Sequence, residues 1–307
     1  MICDGAPHQR WGDATVELQN YCLPNPLFRA QPMPAEQIQL RDSTLVIDDG
    51  VAEFTHQVPK SRNALSLGLR QDYAQMLDMI ERDRGIRALI LTGSGGSFCA
   101  GGDIRSLKEA RENPEAGSPD GIRRRLMNGH MWMQRLRNLE IPVIAAVDGA
   151  AAGAGFSLAL AADFVLASSR AFFCMSFVKI GVVPDLAAAY LLPRVVGLSM
   201  AKELALTARR VDVQEAKQLG IVHTIHSPEA LAQQAREFAR RFVTGPREAM
   251  GLTKRLLNQS FESHYALLAE LESSAQAVAT SAPFHAAAVA AFLDGQPAPY
   301  DWERSRT

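Results

Sequence analysis

Two stretches of small residues, each placed directly after an apolar run, carry the chemistry this sequence offers. The first follows residues 88–92 and holds Gly93, Gly95, Gly96, Gly101 and Gly102. The second follows residues 143–147 and runs from Gly149 to Gly155, with nothing larger than a methyl group between its glycines. Small side chains let a ligand or another backbone approach the main chain closely. A helical run then begins at Phe156. Free N–H groups and the positive end of a helix dipole therefore face the second turn. Such a site suits an anion, or an oxygen that becomes one during a reaction.

The elements around these turns form a strand–helix alternation. Residues 143–147 are apolar and partly β-branched, as befits a strand buried on both faces. Residues 44–47 and 51–58, joined at Asp48, Asp49 and Gly50, read as a β-hairpin. A loop through Asn63 and Ala64 ends at Ser66, a plausible N-cap for a helix over 69–84. The strand at 88–92 follows, so a right-handed parallel crossover is expected. Both small-residue turns then lie at the carboxyl ends of strands in one parallel sheet, the edge where ligands bind. The spacing predicts helices over 122–139, 200–207, 212–219, 228–243, 246–259 and 260–294, and short strands at 165–167 and 221–225. Residues 108–120, charged and containing two prolines, are expected to be a mobile loop.

Composition bounds the function classes. The chain has 307 residues, 47% hydrophobic and 21% charged, with a formal net charge of −1. That balance gives no electrostatic case for nucleic acid or an anionic membrane as partner. No stretch reaches the ~18 uncharged apolar residues of a membrane span. The N-terminus lacks the basic-then-apolar pattern of a secretory leader. The four cysteines show no metal-ligand spacing and read as reduced thiols of a cytoplasmic protein. The expected division is an irregular extension over 1–40, an α/β core over 41–227 and a helical C-terminal part over 228–307.

In order and spacing, several short motifs resemble the enoyl-CoA hydratase/isomerase family, the crotonase superfamily. They are Arg62-Asn63-Ala64-Leu65, the run from Ser97 to Ile104, the run from Pro142 to Gly149, Gly153-Ala154-Gly155, Ala162-Asp163, Leu206 to Arg210 with Glu215-Ala216, and Gly220-Ile221-Val222. The resemblance implies the crotonase-like fold, an α/β spiral of ββα units with a helical part that makes a homotrimer or a dimer of trimers. It implies an acyl-CoA thioester as substrate and no separate cofactor or metal. It implies an oxyanion hole of two backbone N–H groups, matched to Ala100 and Ala154, that holds the thioester carbonyl as an enolate forms. Around it the resemblance places Asn63, Ala64, Gly101, Asp103, Ile104, Gly153, Ser157 and Phe177 along the substrate. Read from residue type alone, Asp103 fixes its turn and Ser157 bonds back to its own helix. His130 reads as a packed histidine, and Arg123 to Arg125 as a solvated face or a neighbour of CoA phosphates.

The departures from the family pattern carry most of the functional information. Hydratases of the family use two glutamates; Ser157 and Phe177 stand at the matching positions. One carboxylate remains, Asp185, where dienoyl-CoA isomerases and the ring isomerases of phenylacetate breakdown place an aspartate. The pattern from Phe173 to Asp185 and on to Leu191-Leu192-Pro193-Arg194 is most similar to the latter branch, which has glycines where this chain has Ala187 and Ala188. The expectation is double-bond isomerisation with Asp185 as acid/base. The alternatives are a hydratase or other enolate-forming enzyme, and a non-catalytic acyl-CoA-binding protein. Asp185 follows a proline, so a helix-capping role is the bland alternative.

Overall fold

A computed structural model describes residues 35–303. A seven-stranded mixed sheet forms its centre, in the order β1-β2-β3-β4-β5-β7-β10. The strands are β1 (Glu36–Gln39), β2 (Ser43–Asp48), β3 (Val51–His56), β4 (Ala88–Gly93), β5 (Val143–Val147), β7 (Phe164–Ser168) and β10 (Thr224–His226). The first two pairings are antiparallel; from β3 to β10 all are parallel. A smaller sheet joins β6 (Ala150–Ala152), β8 (Phe172–Cys174) and β9 (Val211–Asp212).

The main sheet is covered on both faces, which explains its unbroken apolar strands. On one face, Leu89, Leu91, Val143 and Ala145 join the large core beneath α1 (Leu67–Arg82) and α3 (Pro119–Asn138). Helix α1 starts where Ser66 accepts a hydrogen bond from Leu69 N, and buries Leu69, Tyr73, Met76, Leu77 and Ile80. Tyr73 stacks on Trp132 of α3, with ring centres 4.7 Å apart. On the other face, Ala88, Ile90, Ile144 and Ala146 meet Leu231, Ala235 and Ala239 of α8 (Leu231–Arg240).

Four expectations change. Residues 1–34 of the expected extension lie outside the described residues, but β1 falls within 1–40, paired with β2. Its sequence, EQIQ, is exposed at three of four positions, so it carries almost no apolar signal. The charged stretch 108–120 is part helix and part turn: α2 (Ile104–Glu112) enters it, residues 113–118 are turn and bend, and Ser118 caps α3. The part from 228 onward is not a separate unit, because α8 forms the sheet's second layer. The helix expected over 260–294 is two, α10 (Tyr265–Ser281) and α11 (Pro283–Leu293), bent by 72°. Pro283 cannot donate its backbone N–H and pushes Ala282 out of the helical region, to φ −72° and ψ 145°. No single helix among the described residues is long and apolar enough to cross a membrane.

Candidate active site

The two small-residue turns are tied to each other. Cys99 N donates to Ala150 O at 2.9 Å, and Ala152 N donates to Cys99 O at 3.0 Å. This two-bond bridge holds the 97–102 turn, after β4, beside β6 and the start of α4 (Ala154–Ala161). The first turn is also anchored from below. Phe98 O accepts from His56 Nδ1 at 3.0 Å, which makes Nδ1 the protonated nitrogen, and His56 Nε2 accepts from Tyr73 at 2.8 Å. Burial holds the His56 pKa down at about 4, so the ring is a neutral strut at physiological pH.

Unpaired donors remain on each turn. Ala154 N is the first amide of α4 and has no acceptor among the described residues, as a helix's first N–H groups require. On the other turn Ala100 was expected to supply the partner N–H, but Ala100 N donates to Arg62 O at 3.0 Å. That amide is already bonded, so the assignment to Ala100 is corrected. The next amides, Gly101, Gly102 and Asp103, donate to no acceptor among the described residues, and Gly101 O accepts from Leu65 N at 2.7 Å. Gly102 and Ala154 each lie three residues past the bridged pair Cys99 and Ala151, so the bridge sets their spacing. Gly101 sits between them at φ +109°; a Cβ there would lie 3.0 Å from Ala152 O and 3.8 Å from Ala154 N. Gly153, at φ +50°, turns the chain into α4 on the opposite side.

Both turns open on one cavity of about 610 Å³. Ala100, Gly101, Gly102, Gly153 and Ala154 form its floor. Ile104, Ile122, Leu126 and Phe177 make an apolar side, and Arg70, Arg125 and Asp185 make the polar one. Of the expected substrate-side residues, Gly101, Ile104, Gly153 and Phe177 are brought together here.

The others serve the scaffold. The buried carboxamide of Asn63 accepts from Val58 N and donates to Ser94 O and Ser97 O, which ties two loops together. Ala64 lies beside it and does not line the cavity. Asp103 caps α2, accepting from Arg105 N at 3.0 Å and Ser106 Oγ at 2.8 Å. Ser157 is fully buried and does not line the cavity either. Its hydroxyl reaches Gly153 O at 3.3 Å, as a helix serine does, and Asp185 O at 3.1 Å.

Asp185 is the cavity's one carboxylate. Its Oδ1 is buried with no hydrogen-bond partner, so the side chain is not a helix cap. The cap of the following helix, α5 (Ala188–Val196), is Ala187, with no side-chain bond. Burial pushes the Asp185 carboxyl above the usual aspartate range, against the opposing pull of Arg70, His130 and Arg125. Leu186 and Ala187, immediately after it, have φ of +48° and +63°. Non-glycine residues in that region are strained by ~1–2 kcal/mol each and concentrate at functional sites. The strained turn aims Asp185 inward, and Ser157 Oγ and Ala188 N together hold its carbonyl.

Arg70 is not singled out by the sequence, and Arg125 reads only together with Arg123 and Arg124, as a solvated face or a neighbour of CoA phosphates. Arg70 lies on the polar side of α1's apolar stripe, and Arg125 looks like its solvated neighbours Arg123 and Arg124 until α1 and α3 are packed.

An oxyanion-type donor pair, an apolar flank and one desolvated carboxylate form a site for taking a proton from carbon beside a carbonyl. Comparison with known proteins places the chain in a family. A family model described as enoyl-CoA hydratase/isomerase matches residues 46–301. The 1,2-epoxyphenylacetyl-CoA isomerase of Escherichia coli K12 is 36% identical over 249 residues, covering 80% of this chain and 93% of that protein. The short-chain-enoyl-CoA hydratase of Clostridium acetobutylicum is 34% identical, covering 84% of this chain and 96% of its own. The crystal structure of an enoyl-CoA hydratase/isomerase from Cupriavidus metallidurans CH34 superposes with a TM-score of 0.81 at 40% identity, covering 86% of this chain and 97% of that one. The fold is therefore the crotonase fold, and the chain belongs to the enoyl-CoA hydratase/isomerase family of acyl-CoA enzymes.

Proposed function

We propose that this protein shifts a double bond along an acyl-CoA thioester, with Asp185 as the single acid/base and the amides of Gly102 and Ala154 as the oxyanion hole. The carrying observation is that the cavity holds one carboxylate, buried and unbonded at Oδ1, beside unpaired backbone donors on both turns, among them Gly102 and Ala154. Ionised Asp185 takes a proton from the α-carbon of a 3-enoyl thioester. The C–H electron pair forms a bond between C1 and C2 and the carbonyl π pair moves onto the thioester oxygen, giving a dienolate that keeps the 3,4 double bond. That oxygen's charge meets Gly102 N–H and Ala154 N–H, each such donor being worth ~3 kcal/mol of barrier in acyl-transfer enzymes. On return, the oxygen pair reforms the carbonyl, the 1,2 pair becomes the 2,3 double bond and the 3,4 pair takes the same proton from Asp185 at the γ-carbon. Nothing is gained or lost, so one carboxylate suffices and no cofactor beyond the substrate's own CoA takes part.

Hydration needs one group to activate water and another to protonate carbon. The positions matching the two hydratase glutamates hold Ser157, bonded to backbone, and Phe177, an apolar wall. The test is direct comparison of rates: isomerisation of a 3-enoyl-CoA against hydration of crotonyl-CoA by the same preparation. Fast hydration would favour the hydratase reading, and binding of thioesters without turnover would favour a binding protein.

The C-terminal helices support assembly as a homotrimer or a dimer of trimers. Helices α10 and α11 bury no residue, and expose Tyr265, Leu271, Phe292 and Leu293. Apolar helical surface of this kind is stabilised by a partner.

A further inference from the structure

The wall of the cavity around Asp185 is cationic. Arg70 on α1 and Arg125 on α3 both line it, and both are half-buried. Their neighbours behave differently: Arg123 pairs with Asp120, and Arg124 with Asp120 and Glu115, at the outer surface. Neither Arg70 nor Arg125 makes a side-chain hydrogen bond or an ion pair within 4.0 Å among the described residues, Asp185 included. Removing a guanidinium from water without supplying acceptors is costly: burial and the nearby Arg125 pull the Arg70 pKa down, and the charge of Asp185 opposes them. A guanidinium without a side-chain partner on the wall of a cavity presents N–H donors in the planar arrangement that matches a carboxylate, and two of them stand here beside Asp185.

The same two arginines wall a second cavity of about 530 Å³, lined by the polar Gln71, Asn113, Asn128 and Glu115 and by the apolar Leu67, Ala74 and Trp132. An acyl group held at the oxyanion donors therefore shares the cavity with the apolar Ile122, Leu126 and Phe177 and with these two charges, rather than with a wholly hydrophobic pocket. A hydrocarbon terminus would offer neither guanidinium an acceptor. A carboxylate would satisfy them.

We propose that Arg70 and Arg125 receive a carboxylate at the far end of the acyl group, so that the thioester processed here is the mono-CoA ester of an unsaturated dicarboxylic acid. This rests on the placement of the thioester at Gly102 and Ala154 proposed above, and not on the identity of the acid/base. The class of reaction that supplies such a substrate leaves a free carboxyl or carboxyl-generating terminus opposite the thioester.

The experiment is calorimetric binding of two saturated, unreactive acyl-CoA thioesters of matched length, one ending in methyl and one in carboxylate, with free CoA as reference. Wild type should bind the carboxylate-ended thioester at least about tenfold more tightly, the scale of one charge-assisted pair. Arg70→Gln and Arg125→Gln should each lose most of that preference while their affinities for the methyl-ended thioester and for CoA stay within about twofold. Arg123→Gln, which lines neither cavity and pairs with Asp120, should keep it. Should Arg70→Gln fail to fold, Arg70→Lys and Arg125→Gln decide the matter, the lysine retaining only part of the preference. Equal or tighter binding of the methyl-ended thioester by wild type overturns the proposal. So does parallel weakening of both thioesters, which would make the arginines structural, or of free CoA, which would place them on its phosphates. Because binding alone is read, an Asp185 that proves dispensable for turnover leaves this result standing, and the reverse also holds.

Discussion

The hydroxyl of Ser157 donates to the backbone carbonyl of Asp185 at 3.1 Å, across the gap between α4 and the strained turn before α5. Ser157 occupies a position where family hydratases carry a catalytic glutamate. Here it serves the aspartate's backbone instead. Ser157→Ala would leave the Asp185 carbonyl one donor short and free the turn to relax from its positive φ angles. We expect kcat to fall about tenfold with KM nearly unchanged, and stability to fall by ~1 kcal/mol. A loss confined to KM would show that Ser157 touches substrate instead.

The oxyanion assignment predicts a sharp effect at Gly101. Alanine there would place its Cβ 3.8 Å from Ala154 N and strain a residue at φ +109°. Turnover of any acyl-CoA should fall by at least ~10²-fold, the scale of losing one oxyanion donor. Calorimetric affinity for free CoA, which lacks the thioester carbonyl, should be retained. Normal turnover in Gly101→Ala would remove the Gly102–Ala154 pair from the mechanism.

The pH dependence has a defined sign. Asp185 must be ionised to accept the α-proton, and burial raises its pKa above the ordinary aspartate value. The acid limb of kcat/KM should therefore lie above ~4, where an exposed aspartate would put it. Arg70, the strongest of the opposing charges, holds the carboxyl down. Arg70→Gln should move the limb to higher pH, and a limb that stays put or moves down would contradict this environment for Asp185. The stability linkage runs the same way. A carboxyl whose folded pKa is raised favours the native state most below its unfolded value, and that advantage is lost as pH rises through the folded one. Asp185→Asn should accordingly melt higher than wild type at neutral pH.

Assembly is tested by mass. The exposed Phe292 and Leu293 of α11 and Tyr265 of α10 predict a solution mass of three or six chains at micromolar concentration. Phe292→Asp should shift that distribution toward smaller species. A single-chain mass for wild type would contradict the oligomer.

Local signals made much of this fold legible. The hairpin at Asp48 to Gly50, the Ser66 cap and the two strand–turn pairs follow from neighbouring residues and are found where expected. What failed depends on distant partners. Ala100 and Gly102 are equivalent in a glycine-rich string until Arg62 O, from another loop, takes one of the two amides. Asn63 looks like a substrate contact until its amide is seen bonded to Ser94 and Ser97. Arg70 and Arg125 become a pair only when α1 packs against α3. The break at Pro283 was a local signal, masked by the alanine-rich helical composition on either side.

The most direct measurement is the rate of 3-enoyl-CoA isomerisation by Asp185→Asn beside wild type, with substrate affinity measured on both. Asparagine keeps the side chain's shape and cannot take the α-proton. Isomerisation should fall by at least ~10²-fold while affinity changes little, and wild type should hydrate crotonyl-CoA far more slowly than it isomerises. Full isomerase activity in Asp185→Asn would contradict the account, since no other carboxylate lines the cavity to replace it.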